Sequence, residues 1–404
     1  MLRSLPRVGH SIKFSEILRG FLSRSVESRS LDERLPDREP FYVSSGTAAL
    51  TIALKAAKLT SRKRQVILPA YTCPSVFSAV VKSGLEPVLC DMKRRSFQID
   101  QEQMESKIGA DTLAIVAVHL YGIPEEIIAL KELAGVHDVI LMEDAAQGFK
   151  NRVGEDALGG GSNLGLTKGG YLGSFGDLAI LSFGRGKPLS LLHGGAVIVN
   201  NAGLKEKVKM ICRSVKPQID GTLIYLLMLL AYSTFFHPRL YWLPQALPWL
   251  RLGETHFDLD FNVARMNESA LALGNIVSGR FEEIREIRMR LAKLYRAGLE
   301  PMSRYFDFLP EASNEGVALL RFPIIFKEKA NRDRVLKKLK AQGLGGSESY
   351  PAPVSEIDEA PRYVEPKEGY PMAKAISERI LTLPLHEYVT EKDIDKIVEI
   401  MEKF

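Results

Sequence analysis

The chain has 404 residues, 54 of them basic and 49 acidic, for a net charge of +5, and it is 46% apolar and 25% charged. So small an excess over such a length gives no footing for nucleic-acid binding. The length and the ordinary apolar fraction suit a globular protein of two domains. The three cysteines, Cys73, Cys90 and Cys212, are odd in number and widely spaced. No disulfide framework and no cysteine-based metal site is expected, and a reducing cytoplasm is the expected compartment.

Residues 1–35 read as a basic arm with room for one short helix. Met1–Gly20 mixes Arg3, Arg7, Lys13 and Arg19 with polar residues and lacks the apolar core of a signal peptide. From Phe41 onward short apolar runs alternate with helical stretches. Strands are expected at Gln65–Pro69, Pro87–Asp91, Leu113–His119, Asp138–Met142, Leu178–Phe183 and Ala196–Val199. Helices are expected at Thr47–Leu59, Ser75–Ser83, Glu102–Ile108 and Pro124–Ala134, the last with proline at a first helical position. Alternating strands and helices, with strands apolar on both faces, predict an α/β domain with a mostly parallel sheet.

Leu158–Gly176 is glycine-rich but carries neither GxxxxGK[ST] nor a clean GxGxxG, and reads as a surface loop. Gly221–Phe236 carries no charge and is followed by Tyr241, Trp242 and Trp249. It is shorter than the roughly 20 residues a bilayer-spanning helix needs. A buried or subunit-interface helix is one reading, and a helix lying on a membrane surface is the other. Met266–Leu299 has a long helical pattern. It is followed by strand-like Ala318–Phe326, a helix near Asn331–Gln342 and a last helix at Glu391–Lys403. The expected division is an arm at 1–35, a large domain at 36–260 with an apolar insertion at about 221–250, and a small α+β domain at 261–404.

Four segments with chemical character fall at strand ends, where open α/β sheets bind ligands. Ser44-Ser45-Gly46-Thr47-Ala48 opens a helix with small residues, as an anion site does, and also as an ordinary helix start does. Glu143-Asp144-Ala145-Ala146-Gln147 puts two acids and an amide after an apolar strand. Asp144 could pair with a protonated ring nitrogen or simply cap a helix. In Ser182-Phe183-Gly184-Arg185-Gly186-Lys187, a lysine follows a strand, with Arg185 as a neighbouring cation that would favour proton loss from it. His119-Leu120-Tyr121-Gly122 ends another strand, with a histidine of a kind that is more often structural than catalytic.

In order and spacing these segments resemble the DegT/DnrJ/EryC1/StrS family of sugar aminotransferases, from SSGTAAL at Ser44 through VHLYGIP at Val118, EDAAQG at Glu143 and GDLAILSFGRGK at Gly176 to ILTLPLHEYVTEKDIDKIVE near the end. The resemblance covers about Phe41–Phe404. It implies a fold-type I pyridoxal 5'-phosphate (PLP) enzyme with a large mostly parallel domain and a smaller C-terminal α+β domain. Lys187 would carry PLP covalently and shuttle the substrate proton. Asp144 would pair with the pyridine nitrogen, and Gln147 would touch the ring hydroxyl. Gly46, Thr47 and Ser182 would hold the phosphate. A lysine at position 187 separates aminotransferases from relatives that dehydrate sugars and carry histidine there. The implied partners are glutamate as amino donor, a keto sugar as acceptor and a second subunit completing a homodimer. No metal is implied.

Several positions depart from the family pattern. The family's ring-stacking aromatic falls at Cys73, with Tyr71 two residues earlier, so either residue could cover the ring. An acid expected before the paired glycines is His193. The family's Asn-x-Arg-Met, whose asparagine reaches the phosphate of the neighbouring subunit, becomes Asn262-Val263-Ala264-Arg265-Met266, one residue longer. The apolar segment adds a lipid-linked acceptor, and peripheral membrane contact through 221–250, to the nucleotide-linked keto sugar. The remaining alternatives are another fold-type I reaction on amino acids and a non-catalytic PLP-binding regulator or scaffold.

Overall fold

In the computed structural model, which describes residues 3–22, 31–32, 39–153, 170–218, 221–247, 256–309, 316–364 and 369–403, seven strands form one sheet. These are β1 (Pro40–Val43), β2 (Gln65–Pro69), β3 (Glu86–Cys90), β4 (Thr112–Val118), β5 (Ile140–Asp144), β6 (Leu178–Ser182) and β7 (Gly195–Val199), in the order β1-β7-β6-β5-β4-β2-β3. Strands β2 to β6 run parallel, while β7 is antiparallel to both β6 and β1. The carboxyl ends of β1, β2, β4, β5 and β6 and the start of β7 therefore share one edge of the sheet. Every chemically marked segment of the sequence emerges there.

Both faces of the sheet are covered, which is why β4 is apolar from Leu113 to Val118 and all seven of its residues are buried. Alternate residues feed two cores. Val66, Val116, Met142 and Ile180 enter one, and Ile67, Ile115, Leu141 and Leu181 the other. The first core also takes in the helix Gly46–Lys58, whose small apolar residues let it lie close against β6 and β7. It continues through Phe322 and Ile324 into a second, antiparallel sheet of β8 (Phe306–Asp307), β9 (Arg321–Phe326) and β10 (Ile380–Pro384), ordered β10-β9-β8.

The expected α/β architecture is present, and most element boundaries shift by one or two residues. The strand expected at Asp138–Met142 runs from Ile140 to Asp144, because Asp138 turns the chain with φ +50° after the preceding helix. The helix expected from Pro124 begins at Ile127, because the Glu125 backbone N–H donates to His119 Nδ1 and holds a turn there. The long helical stretch after Met266 is two helices, Glu268–Ser278 and Phe281–Leu299, parted at Gly279–Arg280. Most of Leu158–Gly176, and Trp249, lie outside the described residues.

The apolar segment forms the helix Thr222–Phe235, but it is not a buried helix. Only Tyr225 and Leu229 are fully enclosed, while Leu223, Ile224 and Leu227 are 67%, 57% and 57% exposed. Its inner face is tied down by polar contacts: Tyr225 Oη donates to Leu191 O at 2.8 Å, Tyr232 Oη to His10 O at 2.9 Å and Ser233 Oγ to Ile12 O at 2.6 Å. The N-terminal arm runs between this helix and the rest of the protein and continues into the helix Phe14–Leu22. Among the described residues no helix is long and apolar enough to cross a membrane.

Candidate active site

The β1–helix turn and the end of β6 meet side by side. Val43 and Ser182 both pair with Gly195, one from each side of β7. A Cβ at Gly46 would lie 2.7 Å from Ser182 Cβ, so only glycine lets the helix start approach that serine. Ser45 caps the helix, its Oγ accepting from Ala48 N at 3.0 Å. Among the described residues the backbone N–H groups of Gly46 and Thr47 have no acceptor. Two open donors at a helix N-terminus beside a hydroxyl are suited to a phosphate.

The two acids ending β5 have different surroundings. Glu143 is fully buried and accepts from Gly173 N at 2.8 Å, Phe175 N at 2.7 Å and Gly176 N at 2.6 Å, with His119 Nε2 at 3.1 Å. Because His119 Nδ1 accepts from Glu125 N, its proton sits on Nε2 and is donated to Glu143. Glu143 and His119 thus fix the loop before β6. Asp144 is 7% exposed, and its described hydrogen bond is from Ala146 N at 3.0 Å. Burial pushes its carboxyl above the usual carboxylate range, opposed by the charge of Lys187, the Ala146 N–H and His119.

Lys187 sits on a pinned loop. Phe183 N donates to Gly194 O, Leu191 N to Phe183 O and Lys187 N to Gly184 O, and Gly186 takes φ +77° to make the turn. The lysine opens into a cavity of about 620 Å³ shared with Cys73, Gln147, Tyr121 and Tyr350. Gln147 is held from both ends: Oε1 accepts from Tyr121 N at 3.1 Å and Nε2 donates to Tyr350 Oη at 3.2 Å. Cys73 faces this cavity, whereas Tyr71 is fully buried behind it against Phe97 and Tyr350.

The fold thus brings together Lys187, Gln147 and Cys73 on one cavity, with Asp144 within electrostatic reach and the Gly46–Thr47–Ser182 cradle on the same sheet edge. Asn262 stands apart. Its side chain is exposed while its carbonyl accepts from Ser44 Oγ at 3.1 Å, so the segment is zipped to the end of β1. His193 packs its ring 5.6 Å from that of Tyr225. The sequence reading missed Arg7, Val8, Tyr350 and Arg321, which line the cavity together with Met228 and Phe235 of the apolar segment. Tyr121 lay inside a marked segment, next to the histidine that drew attention. The others come from remote segments with no local pattern. The arrangement fits PLP: open donors for its phosphate, a buried acid for its ring nitrogen and a lysine for its aldehyde carbon. Among the described residues no group of three His, Cys, Asp or Glu side chains could hold a metal ion.

Comparison with known proteins agrees with this geometry. The sequence profile described as the DegT/DnrJ/EryC1/StrS aminotransferase family matches residues 28–402. The chain is 32% identical over 165 residues to GDP-perosamine synthase of Escherichia coli O157:H7, a match covering 41% of each chain. It is 33% identical over 159 residues to the Vibrio cholerae enzyme of the same name, covering 39% of each. The matches thus span about two-fifths of these relatives' length. Among solved structures, the Helicobacter pylori aminotransferase PseC, involved in biosynthesis of pseudoaminic acid, superposes with a TM-score of 0.76 at 18% identity over 99% of both chains. The PLP form of a Streptococcus pneumoniae putative sugar aminotransferase superposes with a TM-score of 0.75 at 18% identity, covering 100% of this chain and 98% of that one. At these identities the structures speak for the fold, and the family profile for membership: the chain belongs to the DegT/DnrJ/EryC1/StrS aminotransferase family.

Proposed function

We propose that this protein is a PLP-dependent aminotransferase that moves an amino group from glutamate to the carbonyl carbon of a nucleotide- or lipid-linked keto sugar, working as a homodimer. The observation that carries the reading is a buried Asp144 within electrostatic reach of Lys187, on the same sheet edge as an open helix N-terminus. The backbone N–H groups of Gly46 and Thr47 and the Ser182 hydroxyl hold the phosphate. Asp144 keeps a proton on the pyridine nitrogen, and Gln147, itself fixed by Tyr121 and Tyr350, positions the ring hydroxyl. Cys73 flanks the ring. Bound PLP supplies an electron sink for the substrate carbon from which a proton is removed. Lys187 would anchor the cofactor, and its Nζ would carry that proton. Asn262, with its exposed side chain, serves the partner subunit's phosphate.

The exposed outer face of the helix Thr222–Phe235 supports peripheral contact with a membrane, where a lipid-linked acceptor would be met. The test of the catalytic reading is the visible absorption of purified protein and of Lys187→Ala, each before and after glutamate. A wild-type band bleached by glutamate, and missing in the variant, supports cofactor anchor and donor together. A wild type that takes up no PLP would sink the enzyme reading in favour of a scaffold or regulator. A band that glutamate leaves unchanged would overturn glutamate as donor.

A further inference from the structure

The Lys187 cavity is lined by four cations, Arg7, Arg185, Lys187 and Arg321, and by no carboxylate among the described residues. Arg7 and Arg321 are partly buried, while Arg185 is exposed at the rim; a partly buried guanidinium is ordinarily paired, because an uncompensated buried charge is costly. Here none of the three guanidiniums has a carboxylate within ion-pair distance among the described residues. Arg321, the first residue of β9, is partly buried. Its described hydrogen bond is a long one, from Nη1 to Thr382 Oγ1 at 3.5 Å. Burial and the like charge of Arg7 both pull its pKa below the usual arginine value. Tyr241, on the same cavity, lies within electrostatic reach of all three guanidiniums. The trio therefore converges on one volume.

We propose that Arg7, Arg185 and Arg321 form a diphosphate-binding subsite that seats the acceptor in front of Lys187. The inference rests on the catalytic reading only in taking Lys187 as the reacting group. The cofactor's own phosphate does not account for the trio, because the Gly46–Thr47–Ser182 cradle lies outside this lining. A single carboxylate would leave two of the three charges uncompensated. A diphosphate offers enough oxygens for several guanidinium forks at once. Beside the polar residues around Gln147, the wall includes Val8, Leu192, Met228, Phe235 and Phe236, an apolar and aromatic surface for the body that the diphosphate carries. A nucleoside and an isoprenoid chain share this chemistry.

The test is calorimetric titration of the PLP-loaded protein with inorganic pyrophosphate, GDP, farnesyl diphosphate and glutarate. Arg7→Met, Arg185→Met, Arg321→Met and Arg321→Lys are compared with wild type. Each methionine variant should weaken pyrophosphate binding about ten-fold or more, as loss of a charge-assisted hydrogen bond does. The dependence of affinity on salt should become shallower. Arg321→Lys, which keeps charge but not the planar fork, should fall between wild type and methionine. Near-ultraviolet circular dichroism and the cofactor band identify variants that fold normally. GDP binding tighter than pyrophosphate would support the subsite with a nucleotide acceptor, and farnesyl diphosphate binding tighter would support it with a lipid one. Pyrophosphate binding unchanged in all three methionine variants, or a loss confined to glutarate, would overturn the proposal. A protein that takes up no PLP would refute the reading of Lys187 instead, and titration of the cofactor-free chain would still read the arginines.

Discussion

His119 Nε2 lies 3.1 Å from Glu143 Oε2, with both side chains fully buried, and this contact separates the roles of the two neighbouring acids at the end of β5. Glu143 is saturated by three loop N–H groups and the imidazole, so it has no capacity left for a ligand. Replacing it with Gln puts an amide NH₂ where only acceptors fit. Glu143→Gln should destabilise the cofactor-free protein by about 2–3 kcal/mol. Asp144→Asn should cost far less, since Asp144 is held by one described backbone N–H and by charge. Urea unfolding of the two variants checks this, and the reverse ranking would exchange their roles.

Asp144 also gives a pH dependence. Its carboxyl is raised above the usual range by burial, so the folded chain holds this proton more tightly than the unfolded chain does. Above the raised pKa the buried charge costs stability. That cost is relieved as pH falls through the raised value toward the ordinary aspartate pKa of about 3.9. The stability of Asp144→Asn relative to wild type, without cofactor, should therefore fall on acidification, because wild type gains stability over that range and the variant does not. A difference independent of pH would mean that Asp144 is not desolvated.

His10 should act with the opposite sign. It is fully buried, with Nε2 accepting from Ser190 N at 2.7 Å, and burial lowers its pKa to about 4. The neutral ring holds the arm against the loop that follows Lys187. Stability from this contact is complete above the ordinary histidine pKa and is lost as pH falls toward about 4. The loss should reach about 3 kcal/mol. His10→Gln, which can keep an acceptor for Ser190, should flatten this slope in urea unfolding between those limits. An unchanged slope would point to other groups.

The Gly46–Ser182 approach can be probed by repair. Gly46→Ala drives a Cβ to 2.7 Å from Ser182 Cβ, two atoms with no rotamer to escape into. It should cost about 1–3 kcal/mol and weaken PLP binding. Adding Ser182→Gly should restore thermal stability while leaving PLP affinity low, because the hydroxyl is then gone. Recovery of both would remove Ser182 from the phosphate site.

Much of this site was legible because the sheet edge collects short local signals. Lys187, Asp144 and the Ser45–Thr47 turn each stand beside a strand whose apolar run marks where it ends. Tyr350, Arg321 and Arg7 carry no such mark. Tyr350 reaches the cavity from the segment after the helix Lys329–Ala341, Arg321 from β9 and Arg7 from the arm, through long-range packing that no local periodicity encodes. For the helix Thr222–Phe235 the sequence left a buried or subunit-interface helix and a membrane-surface helix open, and the structure removes only the fully buried form. An uncharged stretch looks the same whether one face or both are covered, and only the neighbours decide.

The uncovered face of that helix leads to the last prediction. Leu223, Ile224, Leu227, Leu240, Trp242 and Leu243 are exposed, and so are Phe14, Leu18 and Leu22 on the adjoining helix, joined through the Ser233–Ile12 hydrogen bond and the Phe21–Tyr225 ring pair. Exposed charges on these elements are Lys13, Arg19 and Arg239. Residues 221–247 contain no acid, and Glu16 is turned inward to Arg280. An apolar face edged by these three cations is complementary to an anionic bilayer surface, where each basic residue contributes about 1 kcal/mol. The protein should float with vesicles containing phosphatidylglycerol, less with phosphatidylcholine alone, and less again as salt rises. Leu223→Asp with Leu227→Asp should abolish flotation while leaving the cofactor band intact. If the double variant instead halves the mass in analytical ultracentrifugation and wild type never floats, the face belongs to a second copy of the chain and the membrane reading falls.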